Sequence, residues 1–86
     1  MIATVNSNLK ITLNGVYQTD AGYIAGCIYD CYNANGLRGY EVVPDSPGSF
    51  IIRTNWSKAP SYQAFNNNVQ NWVEERKKWK KEHNKW

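Results

Sequence analysis

Eight residues near the C-terminus recur at alternating intervals of three and four: Tyr62, Phe65, Val69, Trp72, Arg76, Trp79, His83 and Trp86. That spacing sets them in one stripe on a helix surface. Within it, Trp72, Trp79 and Trp86 are each seven positions apart. A continuous helix from Pro60 to Trp86 would run roughly 40 Å. A chain this short folds into a body only about 25–30 Å across. The two halves of the helix therefore meet different surroundings. Tyr62, Phe65, Val69 and Trp72 are expected to pack on the rest of the fold, whereas Trp79 and Trp86 reach its edge or pass beyond it.

Charge divides at nearly the same place. Residues 1–73 hold Lys10, Arg38, Arg53 and Lys58 against Asp20, Asp30, Glu41 and Asp45, and are neutral. Residues 74–86 hold Arg76, Lys77, Lys78, Lys80, Lys81 and Lys85 against Glu74, Glu75 and Glu82, which accounts for the whole net charge of +3. The expected layout is one domain over 1–86, with a neutral body (1–73) and a basic, tryptophan-bearing helix end (74–86). On this reading, removing 74–86 leaves a folded domain. The plainer alternative is that the tryptophans complete the core and the helix end is merely solvated.

Eighty-six residues suit one domain with a thin core. A hydrophobic fraction of 42% and an aromatic fraction of 14% argue against disorder. No run approaches the ~20 apolar residues of a membrane span, and Met1 to Lys10 lacks the features of a signal peptide. A cytoplasmic location is the resulting expectation, with Cys27 and Cys31 as free thiols.

The elements ahead of the last helix follow from periodicity and turn chemistry. Leu9 to Leu13 alternates as a half-buried strand does. Asn14-Gly15 then suggests a tight turn, with Val16-Tyr17-Gln18 returning and Ile2 to Val5 extending the first strand. Thr19 or Asp20 can cap a helix whose apolar positions are Ala21, Ile24, Ala25, Ile28, Cys31 and Tyr32. Asn35-Gly36 is a suitable stop. Gly22 and Gly26 weaken that helix and suggest close approach by the sheet. A second hairpin runs from Gly39 to Val43, turns through Pro44-Asp45-Ser46-Pro47-Gly48, and returns from Ser49 to Thr54. Ser57 can cap the last helix, with Pro60 in its first turn. The order hairpin, helix, hairpin, helix predicts an α+β fold: a three- or four-stranded, mostly antiparallel sheet covered on one face by two helices.

Catalytic and metal signatures are missing from this pattern. Cys27 and Cys31 supply two thiolates where structural zinc needs four ligands, and His83 is the sole histidine. The carboxylates Asp20, Asp30, Glu41 and Asp45 fall at caps, ends and turns, where short polar residues belong for structural reasons. No glycine-rich phosphate loop occurs. The expectation is a non-enzymatic protein with no cofactor and no metal.

Surface aromatics point toward binding instead. Tyr17, Tyr23, Tyr29, Tyr32 and Tyr40, with Trp56, exceed what a core this small absorbs, and exposed aromatic surface marks interfaces. The candidate contact residues are Arg76, Lys77, Lys78, Trp79, Lys80, Lys81, Lys85 and Trp86, where a basic helix carries aromatic anchors. In general character the chain resembles the compact accessory proteins of phages and other mobile elements, anti-CRISPR inhibitors among them. That resemblance rests on size and composition and implies stoichiometric occlusion of a host protein. The expected partner is a host protein with an acidic surface. The alternative is a nucleic acid, held through phosphate contacts and base stacking. The chain is expected to act as a monomer or a homodimer.

Overall fold

The computed structural model describes residues 1–83. Six elements follow in order: β1 (Ile2–Val5), β2 (Ile11–Asn14), α1 (Gln18–Tyr32), β3 (Leu37–Ser46), β4 (Ser49–Trp56) and α2 (Tyr62–His83). The strands form one four-stranded antiparallel sheet in the order β1-β2-β4-β3. The α+β expectation, with its long C-terminal helix, is met.

The first hairpin differs from the expected one. Its strands are β1 and β2, and Ala3 faces Leu13 while Val5 faces Ile11. The turn lies at Asn6–Lys10, where the Asn6 side-chain oxygen accepts hydrogen bonds from the Asn8 and Lys10 amides. This Asx arrangement adds to the backbone bonds of the turn, in which the Leu9 amide donates to the Asn6 carbonyl at 2.9 Å and the Asn6 amide to the Lys10 carbonyl at 3.0 Å. Leu9 stands at φ 61° and is buried. Its carbonyl accepts the Thr54 hydroxyl at 3.0 Å, and Thr54 in turn accepts the Trp56 indole N–H at 2.8 Å. Asn14-Gly15 instead leads β2 out of the sheet toward α1, because Val16 is buried and its amide donates to the Gly48 carbonyl. The apolar set Leu9, Ile11, Leu13 and Val16 is buried as its alternation predicted.

The second hairpin is longer than expected and turns more tightly. The strands reach Ser46 and resume at Ser49, which leaves Pro47-Gly48 as the corner. Proline presets the first corner angle, and Gly48 takes φ 77° at the second. Pro44 is tolerated because β3 is an edge strand and the pairing is irregular between Pro44 and Ser46.

Both helices lie on the face that carries Ile11, Leu13 and Ile52. The core combines these with Ala21, Ile24, Ala25 and Ile28 of α1 and Phe65, Val69 and Val73 of α2. An aromatic cluster closes one end, with Tyr32 edge-on to Trp56 at 5.2 Å and Phe65 5.7 Å from both rings. Rather than surface aromatics, Tyr32 is thus a core residue and Trp56 is half-buried against the core. The Tyr32 hydroxyl accepts the Asn68 amide at 2.6 Å, which gives the Asn66–Asn68 triplet a structural use.

Other local expectations are corrected. Tyr17, not Thr19 or Asp20, is the N-cap of α1, and Asp20 is its third helical residue. Ser61 caps α2 by accepting the Ala64 amide, whereas the Ser57 hydroxyl donates to the Gly36 carbonyl. No atom approaches within 4 Å of a Cβ built at Gly22 or Gly26, so these glycines admit no close neighbour. The buried stripe of α2 runs through Val73, and Tyr62 at its start is exposed.

The long axis of the molecule is 43 Å, against 25 and 19 Å for the other two. Twenty-two helical residues span about 33 Å. The helix is therefore longer than the body is wide, as its stripe implied.

Candidate functional site

Asp20 lies at the N-terminal end of α1, and α2 passes this end with Arg76 and Lys80. The Asp20 carboxylate is fully buried. Oδ1 accepts the Arg76 Nε–H at 2.8 Å. Oδ2 accepts the Lys80 ammonium at 2.9 Å and the Tyr17 backbone amide at 3.0 Å. The first turn of α1 adds the positive end of its dipole. Burial pushes the Asp20 carboxyl upward, but the Tyr17 amide, Arg76 and Lys80 outweigh it and hold the group below the ordinary aspartate range.

One charged triad therefore joins the two helices. Two of the eight expected contact residues, Arg76 and Lys80, are taken up by it. The triad crosses the division at residue 73, since Asp20 of the body pairs with Arg76 and Lys80 beyond it.

Aromatic rings surround the same cations. The Arg76 guanidinium lies between Tyr23 and Trp79, 5.1 and 4.4 Å from the two ring centroids. His83 stacks on Trp79 at 4.3 Å with planes 18° apart. Its Nδ1 is 2.8 Å from the Trp79 carbonyl, one helical turn back, and donates to it. Lys80 passes 4.9 Å from the centroid of Tyr17. Trp79 nevertheless keeps 47% of its surface exposed, and Tyr17 keeps 72%. The result is an apolar surface with cationic supports at the end of the molecule.

Lys77, Lys78 and Lys81 face solvent. Lys77 pairs with Glu74 at 3.3 Å, an exposed contact of small energetic consequence. Lys78 and Lys81 are exposed and have no ion pair among the described residues. Lys85 and Trp86 lie outside the described residues. Between Glu74 and His83 the helix carries five cations and three carboxylates. With Asp20 as the fourth carboxylate, this end has a surplus of one positive charge.

Other features offer less. Cys27 is half-buried; burial raises its thiol, the neighbouring Glu75, Asp30 and Cys31 add to that, and the Tyr23 hydroxyl offsets only part of it. Among the described residues, no group of three metal-ligating side chains converges. An open cleft of about 500 Å³ between Asn35-Gly36 and Ser57–Pro60 contains Lys58 as its one charged side chain. Tyr29 and Tyr40 form an exposed edge-on pair at 6.2 Å, without charged company from α2. No described helix is long and apolar enough to cross a membrane.

Asp20 is the member of this cluster that sequence spacing missed. Its partners lie 56 and 60 positions away. One signal was available: Arg76 is a permanent cation inside an otherwise aromatic and aliphatic stripe, and a buried cation requires a buried counter-charge. Set against known protein families, curated proteins and solved structures, the chain matches none.

Proposed function

We propose that the protein is a small non-enzymatic binding module whose contact surface is the exposed end of α2: Trp79, flanked by Lys77, Lys78 and Lys81. The fitting partner is a protein with an acidic surface around an apolar recess. In the setting that its composition resembles, it would act by occluding a host protein stoichiometrically. The observation that carries this reading is Trp79 itself. It is half exposed yet held between Arg76 and His83, so a large apolar anchor is presented in a fixed posture. A tryptophan ordered before contact loses little entropy on binding, and Trp is prominent among interface hot spots. Lys78 and Lys81 supply long-range steering toward negative charge.

Charge counts against the nucleic-acid alternative. Phosphate recognition draws on several uncompensated cations. Here Asp20 and three glutamates offset four of the six cations between residues 74 and 86.

The test is a comparison of captured partners. The intact protein and a Trp79→Ala variant are used as bait under identical conditions, before and after nuclease treatment. Recovery of one protein in near-equal amount by the intact chain, its loss with Trp79→Ala, and resistance to nuclease are the expected results. Binding of a labelled single-stranded oligonucleotide that falls log-linearly with salt would assign the site to nucleic acid instead.

A further inference from the structure

We infer that Asp20 is a positioning residue for Trp79: by fixing Arg76, it sets the tryptophan in its exposed posture. The geometry forms one continuous chain. Asp20 Oδ1 takes the Nε–H of Arg76 at 2.8 Å, which fixes the guanidinium along one edge. The flat group then lies between Tyr23 and Trp79, at 5.1 and 4.4 Å. Tyr23 is half-buried against the core and acts as the fixed wall. Trp79 is the outer leaf, and His83 backs it at 4.3 Å.

Lys80 holds the other carboxylate oxygen at 2.9 Å, so the turn of α2 beneath Trp79 is fastened at a second point. Loss of either cation leaves a fully buried charge with only one cationic partner. A carboxylate at the start of one helix thereby determines how a ring near the end of the other helix stands. Without it, Arg76 loses the hydrogen bond that ties it to α1, and the inner face of Trp79 rests on an untethered side chain.

The consequence for binding rests on reading the α2 end as the contact surface. The positioning itself can be tested without any partner, so either idea can fail while the other stands. Protein labelled with 5-fluorotryptophan gives four fluorine resonances, one per tryptophan, and single Trp→Phe variants at positions 56, 72 and 79 identify the three that are compared. In Asp20→Asn, the Trp79 resonance is expected to move to the position of solvent-exposed indole and to narrow, while those of Trp56 and Trp72 stay in place. A merely structural role for Asp20 would shift all three together or none. If Asp20→Asn does not fold, Asp20→Glu decides, since it keeps the charge and leaves Arg76 in place but shifts the carboxylate by one methylene from its position beside Arg76 Nε. Movement of Trp79 alone then supports the inference. An unmoved Trp79 beside unmoved Trp56 and Trp72, in either variant, overturns it.

Discussion

Arg76 Nε lies 2.8 Å from Asp20 Oδ1, across 56 residues of chain and between two different helices. The Arg76 side chain is 14% exposed and that of Asp20 is 1%. This pair, completed by Lys80, fastens the basic end of α2 to the body. It separates Arg76 and Lys80, which face the body, from Lys78 and Lys81, which face solvent.

Removing the carboxylate should therefore be costly. Breaking a buried pair from one side typically costs about 3–5 kcal/mol. Arg76 and Lys80 keep some access to water, so Asp20→Ala should fall at the low end, about 3 kcal/mol. Urea denaturation monitored by circular dichroism measures this. Truncation before Glu74 removes both cations and should destabilise by at least as much, against the independence that charge segregation suggested for residues 1–73.

The same triad gives a pH dependence. Asp20 has a lower affinity for protons in the folded state than the ~3.9 of an unfolded aspartate would imply. Its contribution is fully present above that unfolded value and is lost as pH falls through the folded one. The melting temperature of the wild type should thus lose this increment below about pH 4. Asp20→Asn should lack that part of the acid limb while being less stable at neutral pH. Thermal melts at intervals between pH 7 and pH 2.5 make the comparison.

Gly22 and Gly26 should be improvable. Both sit inside α1, and a Cβ at either would meet nothing within 4 Å. Gly→Ala in an open helical position stabilises by about 0.5–1 kcal/mol. Each variant should raise the denaturation midpoint. Gly36→Ala should do the reverse, because Gly36 stands at φ 107° and a Cβ there would lie 2.6 Å from the Lys58 carbonyl oxygen. The expected loss is about 1–3 kcal/mol from backbone strain alone, and the clash adds to it.

The two thiols should differ. Cys31 is exposed, whereas Cys27 is half-buried with its thiol raised by burial. Since the thiolate is the reactive form, a disulfide reagent at pH 8 should modify Cys31 first and Cys27 much more slowly. Mass spectrometry of early time points identifies the modified residue.

Much of this architecture was legible in the sequence, for local reasons. Alternation marked Leu9, Ile11 and Leu13 as one buried face, and 3.6-residue periodicity marked Ala21, Ile24 and Ile28. The Pro47-Gly48 corner fell within the predicted turn. The first hairpin was misplaced because Asn14-Gly15 satisfies a turn rule that the longer Asn6–Lys10 loop meets by side-chain hydrogen bonds. The Asp20 triad is a tertiary fact. Asp20 reads locally as a capping carboxylate, and it does accept the Tyr17 amide, but its two cationic partners are supplied by the fold.

The division of labour along α2 predicts a specific binding pattern. Lys78→Glu with Lys81→Glu should slow association and reverse its salt dependence while leaving stability unchanged within about 0.5 kcal/mol. Trp79→Ala should weaken binding by about thirtyfold or more, as loss of a hot-spot residue does. Surface plasmon resonance on the captured partner separates the two effects.

The most direct measurement is photocrosslinking from position 78 in the cell of origin, with position 41 on the uncovered sheet face as the control. A discrete, nuclease-resistant protein adduct from position 78 alone, abolished by Trp79→Ala, is the predicted result. A nuclease-sensitive adduct, or the same adducts from both positions, would contradict the assignment of the α2 end as a protein-binding surface.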